Sequence, residues 1–73
     1  MPDDDLPQPT PGPELAKMRR DVGVGQEELA ARLGIHRVSL SGWENAAAVD
    51  VRRSARYRKA LREIAAEAIA EPA

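Results

Sequence analysis

The sequence predicts an all-α fold of about four helices, and three observations carry that expectation. Apolar residues recur at helical spacing in successive stretches between Leu15 and Ile69. Gly23 and Gly34 stand where the first two stretches stop, as glycines do at helix ends. No segment alternates apolar and polar residues in the way a half-buried strand would. With 73 residues the chain holds one small domain, and such a chain buries only roughly 60% of its unfolded surface.

The elements follow in order. Residues 1–12 read as a disordered acidic tail, because Asp3, Asp4 and Asp5 repel one another and the prolines remove backbone donors. The folded domain is expected over residues 13–71. Pro13 suits the first position of a helix, where its missing N–H costs nothing. From Glu14 onward Leu15, Met18 and Val22 mark one face of the first helix. Gly23-Val24-Gly25 interrupts it. The second helix begins at Gln26, with Glu27 and Glu28 in the first turn, where the helix dipole favours acids. It presents Leu29, Ala30 and Leu33 on one face and ends at Gly34, a residue suited to a left-handed turn. A third helix is expected at about 37–44, burying Leu40 and Trp43. Residues 46–51 are ambiguous. A last helix carries Tyr57, Leu61, Ile64, Ala65 and Ala68 at i, i+4, i+7, i+8 and i+11, capped by either Asp50 or Ser54. Its apolar stripe runs on through Ile69, beyond what so small a core covers, which suggests a seam with a second copy.

The net charge of −1 conceals a partition. Residues 1–28 hold seven acids and three bases (−4). Residues 29–62 hold eight bases and two acids (+6). Residues 63–73 hold three acids (−3). A local basic face, rather than net charge, is what meets phosphates. Six of the eleven residues from 52 to 62 are Arg or Lys, which fits either a solvated helix face or a phosphate clamp.

Composition also excludes several chemistries. With no Cys and one His, neither a disulfide framework nor a thiolate or His-rich metal site can form. There is no phosphate-binding loop, and the acids sit mainly in the tail and at helix ends. No catalytic residue, metal or other cofactor is expected, and the chain does not read as an enzyme. No apolar run of about 20 residues and no secretory leader is visible, so the expected location is cytoplasmic, without membrane contact.

The stretch from Leu15 to Asn45 resembles the Cro/C1-type (Xre-like) helix-turn-helix family. The match lies in Leu15-x-x-Met18-Arg19, then Gly23-x-x-Gln26-Glu27-Glu28-Leu29-Ala30-x-x-Leu33-Gly34-Ile35, then Leu40-Ser41-x-Trp43-Glu44-Asn45. Each position also has a physical reason. Ala30 is small where two helices cross closely, Gly34 permits the sharp turn, and Leu40 and Trp43 wedge the second helix of the pair against the first.

The resemblance implies a lambda-repressor-like fold that binds double-stranded DNA. Gln26 would reach the phosphate backbone. Arg37, Val38, Ser39, Ser41 and Gly42 would face base edges in the major groove, with Arg37 suited to guanine and Val38 to a thymine methyl. Asn45, Arg52 and Arg53 would hold phosphates, and Arg19 would pair with Glu44. Three positions depart from the family. Gly25 stands where Ser or Thr is usual, and Ala46 where Gly is frequent. His36 stands where a capping Ser is common, and its ring could contact a phosphate instead. The region after Asn45 does not match the compact two-helix ending of many members, and a single long helix is expected there.

Taken together, these features imply a transcriptional regulator of repressor or Cro-like type, a homodimer through its C-terminal helix. Two other readings stand beside it. One is a DNA-binding antitoxin or adaptor whose acidic tail captures a partner protein. The other is a pure protein-interaction domain reusing the fold, against which the +6 middle argues.

Overall fold

The computed structural model describes residues 8–70, and everything structural below refers to them. Four helices follow one another: α1 (Gly12–Val22), α2 (Gln26–Leu33), α3 (Arg37–Asn45) and α4 (Val51–Ala70). Helices α1 and α2 each pack against both α3 and α4. The all-α expectation and the single long last helix both hold.

The two predicted glycine stops work as the sequence suggests. Gly23 (φ 85°) and Gly34 (φ 72°) take the left-handed conformation that closes a helix. The Gly23 N–H returns to the carbonyls of Arg19 and Arg20, and the Val24 N–H to that of Arg19. Likewise the Gly34 N–H reaches Ala31 and the Ile35 N–H reaches Ala30. Both turns are tight, so Val24 is buried and Ile35 partly buried, and each pins its neighbouring helix to the core.

The core comprises Leu15, Val24, Leu29, Ala30, Leu40, Val49, Tyr57, Ala60, Leu61 and Ile64. Met18, Leu33, Ile35, Trp43 and Ala46 pack against it, partly exposed. Trp43, expected to be buried, packs against the core but is only half-buried, and the Arg53 guanidinium lies 5.8 Å from its ring centroid. The stripe on α4 is buried only as far as Ile64. Ala65 is half-buried and Ala68 exposed, so Ala68 is not core. Asp50 is the cap of α4: its Oδ1 accepts the Arg53 N–H at 2.8 Å. Ser54, the other capping candidate, is instead buried inside the helix, where its hydroxyl donates to the Val49 carbonyl.

The largest correction lies at the N-terminal end. The segment read as a disordered tail through residue 12 enters the fold at Thr10. Thr10 is 3% exposed and exchanges two backbone hydrogen bonds with Val49, at 3.0 and 2.7 Å, in an isolated antiparallel bridge. Its hydroxyl also accepts a hydrogen bond from Arg58. Helix α1 then starts at Gly12, which leaves Pro13 second in the helix rather than first. Gly12 is buried, and its N–H donates to the Ala46 carbonyl at 3.0 Å. The carbonyl oxygens of Trp43, Glu44 and Ala46 all lie within 2.7 Å of where a Cβ would stand. Only glycine lets the start of α1 seat itself on the end of α3. The rest of the predicted tail, residues 1–7, lies outside the described residues.

Candidate nucleic-acid interface

Helix α3 has two faces of opposite character. Leu40 and Glu44 turn inward and are buried, with Trp43 beside them. Val38, Gly42 and Asn45, at i, i+4 and i+7, form the centre line of the outward face. Val38 is 67% exposed. Ser39 is exposed on one flank and Ser41 half-buried on the other. Arg37 stands exposed at the helix start, with no ion-pair partner among the described residues.

The inward face is fixed by a hydrogen-bond cluster on one carboxylate. Glu44 is 6% exposed. It accepts from Arg19 Nε at 2.8 Å and Arg19 Nη2 at 3.1 Å, a bidentate pair. It also accepts from Gln26 Nε2 at 2.9 Å and from the Tyr57 hydroxyl at 2.5 Å. All four helices thereby meet at Glu44, since Arg19 belongs to α1, Gln26 to α2 and Tyr57 to α4. Burial pushes the Glu44 carboxyl up, but the donors from Arg19, Tyr57 and Gln26 outweigh it and hold the group below its ordinary range. Burial and the adjacent Glu44 carboxylate push the Tyr57 hydroxyl well above its usual value. Arg19 is held protonated more firmly than usual, chiefly by its hydrogen bonds to Glu44. The expected Arg19–Glu44 pair is therefore present. Tyr57 was missed as its partner, because its place in the apolar stripe suggested core packing alone.

The remaining residues expected at the interface fall into two groups. Arg37, Val38, Ser39, Gly42 and Arg52 are exposed, with no side-chain hydrogen bond among the described residues. His36, also exposed, occupies the position before α3 in an extended conformation (φ −74°, ψ 145°), and its side chain makes no capping bond. By contrast, Gln26, Asn45 and Arg53 have internal partners. Gln26 commits one amide hydrogen to Glu44. Asn45 Nδ2 donates to the Ser41 carbonyl at 2.9 Å, closing the end of α3, and lies 3.4 Å from the Ser41 hydroxyl. Arg53 pairs with Asp50 at 3.2 Å and covers Trp43.

The basic run on α4 is likewise partly spent within the protein. Arg56 donates to the Leu33 carbonyl at the end of α2, and Arg58 holds Thr10. Arg32 on α2 pairs with Glu67 and approaches Glu63, clamping α2 to the far half of α4. A phosphate clamp over the whole of 52–62 does not fit these engagements. Arg52 has no ion-pair or side-chain hydrogen-bond partner among the described residues.

A buried scaffold that presents one open helix after a tight glycine turn is the geometry of a major-groove reader. The helix-turn-helix family model matches residues 15–68. The chain belongs to the Cro/C1-type helix-turn-helix family. It is a DNA-binding domain of the regulatory kind, and catalysis is not typical of that family. No individual curated protein and no solved structure matches the chain. No helix among the described residues is long and apolar enough to cross a membrane.

Proposed function

We propose that this helix-turn-helix protein is a sequence-specific transcriptional regulator of repressor or Cro-like type, with α3 read into the major groove. The outward face of α3 carries the reading. Gly42 lies in the middle of that helix, where glycine costs roughly 0.5–1 kcal/mol relative to alanine. Nothing among the described residues asks for it, because a Cβ there would meet none of their atoms within 4 Å. Its small size is explained by close approach of a ligand from outside. Arg37 stands at the same helix start as a donor fork suited to guanine O6 and N7. Val38 offers an apolar tip to a thymine methyl. Ser39 and Ser41 flank the approach. His36, Gln26, Asn45, Arg52 and Arg53 border it and supply phosphate contacts, with Gln26 using the amide hydrogen left over from its bond to Glu44.

The functional unit in this reading is a two-fold dimer on a palindromic site, its half-sites about 34 Å apart. The far end of α4 favours it as the seam. Ile69 is 86% exposed and Val22 43%, and together with Val24, Ile64, Ala65 and Ala68 they line an open apolar groove of about 460 Å³.

Selection of sites from random DNA, with sizing of the complex, tests binding, palindromy and stoichiometry together. Arg37→Ala then tests the register. It should leave stability within about 0.5 kcal/mol and weaken binding to the selected site by about 1–3 kcal/mol while relaxing preference at one base pair. Unchanged affinity and preference would show that α3 does not read DNA through this face.

A further inference from the structure

A second apolar groove opens between α1 and the middle of α4. Met18, Val22, Leu61 and Ala65 line it over about 320 Å³, with Arg58 and Arg62 as its charged members. Val22 and Ala65 also line the groove that holds Ile69, so the two grooves form one continuous surface. We propose that a second copy of this chain covers the whole of that surface by packing α4 antiparallel against α4 about a two-fold axis at Ala65. Each copy then seats its Ile69 over the other's Leu61 and sets its Arg62 against the other's Glu28. This pairing rests on the dimer reading proposed above and is independent of DNA binding.

Three observations lead to that occupant. The first is shape. Ile69 is 86% exposed, whereas Leu61 is buried at the floor of an open hollow. The two stand four residues to either side of Ala65, about 6 Å away along the helix axis and on the same face. A two-fold axis at Ala65 therefore brings each projecting side chain to the other copy's hollow, and the same contact is made twice. The second is charge. Arg58 and Arg62 line only the first groove, and Glu28 lines only the second, beside Ala68 and Ile69. The surface is basic at one end and acidic at the other. Arg62 and Glu28 are both exposed, and neither has an ion-pair partner among the described residues. Arg62 precedes Ala65 by three residues and Ala68 follows it by three, so the same axis carries Arg62 to the other copy's Ala68 and the Glu28 beside it. A parallel pairing would instead set Arg62 against Arg62. The third is self-complementarity. A partner of a single charge sign would be opposed at one end of the surface, and nucleic acid phosphates would meet both Glu28 and an apolar centre. An antiparallel copy satisfies both ends and removes Ile69 and the 43% exposed Val22 from water.

Sedimentation equilibrium of the full chain without DNA tests this, with helicity by circular dichroism as the check that each variant is folded. The three residues substituted are exposed, so their replacement leaves the core intact. The parent should be a dimer. Ile69→Ser should weaken it by about 100-fold or more, because two isoleucines lose their seats at once. Arg62→Glu turns two exposed attractions into repulsions and should weaken it by about 10-fold, as should Glu28→Arg. Combining Arg62→Glu with Glu28→Arg should return the dimer to within about threefold of the parent. A monomer at every concentration, or a dimer indifferent to Ile69→Ser, would overturn both this pairing and the choice of seam. Mass that keeps growing with concentration would overturn it as well, since a head-to-tail contact does not close. A dimer that Ile69→Ser breaks but that the double charge exchange fails to restore would leave the seam standing and refute the antiparallel register.

Discussion

Glu44 and Gly42 stand two residues apart on α3 and belong to different problems. Glu44 points into the protein, where three side chains from three other helices donate to it. Gly42 points out, where a side chain would meet nothing. The inward residue is determined by the chain itself, and the outward one is not. The contrast teaches how a very small domain can hold one exposed helix face still. Crowding the interior of α3 with fixed partners leaves its other face free of structural duty, and side chains there can be chosen for an external ligand.

Glu44→Ala breaks the inward half of the comparison and is expected to have the largest effect. It strands the Arg19 guanidinium, whose side chain is only 11% exposed, and removes the acceptor for Gln26 and Tyr57. Removing one partner of such a pair costs about 3–5 kcal/mol, a large share of a small domain's stability. The lower end is the better expectation, because Arg19 keeps its bond to the Val24 carbonyl. Chemical denaturation measures it, and a midpoint near that of the parent chain would show the cluster to be incidental. The same carboxylate sets an acid limb. Its folded value is lowered, so its contribution is complete above the unfolded value of about 4.3 and is lost as pH falls through the folded value. Tyr57 sets the opposite limb. Its folded value is raised, so its contribution is complete below about 10 and is lost at higher pH. Stability measured against pH should fall at both ends, and Glu44→Gln should flatten the acid one.

Gly12→Ala asks whether the end of α3 depends equally on the start of α1. Three backbone carbonyls occupy the space a methyl would need, and backbone cannot rotate aside as a side chain does. Overpacking typically costs 1–3 kcal/mol, and about 3 kcal/mol is expected here. The cost is limited because the first turn of α1 can detach, at the expense of the Thr10–Val49 bridge. Loss of amide protection at Thr10 and Val49 in hydrogen exchange would accompany the drop in midpoint. A variant with a parental midpoint and an intact bridge would contradict the seating of α1.

What was legible in the sequence follows the same division. Periodic and punctuated features could be read: the stops at Gly23 and Gly34, the inward set Leu29, Ala30 and Leu40, the continuous last helix, and the Arg19–Glu44 pair through the family's pattern. Contacts that depend on how distant segments approach could not. A single residue pair, Thr10 with Val49, leaves no periodicity, and five prolines in residues 1–13 outweighed it. Gly12 reads as one more loop glycine until Ala46 is found against it. Arg53, Arg56 and Arg58 share a composition with Arg52, yet only the fold shows that the first three are occupied by Asp50 and Trp43, by Leu33 and by Thr10. At the interface, the exposure of Arg37, Val38, Ser39 and Gly42 could be anticipated from helical phase, whereas the inward turn of the Gln26 amide could not.

Gly42→Ala sharpens the outward half and has the smallest expected effect on the fold. A Cβ finds open space there, and alanine is the better helix former. Folding stability should therefore rise, by about 0.5–1 kcal/mol. If α3 lies in a groove, the same methyl stands on the centre line of the contact, between Val38 and Asn45, and holds the helix away from the bases. Binding to a selected site should weaken while the melting temperature climbs. The opposed signs make the variant informative, since a purely structural role for Gly42 cannot produce them. Should stability and affinity rise together, the centre of the outward face does not touch DNA, and the contact would have to be sought toward Arg37 and the start of the helix.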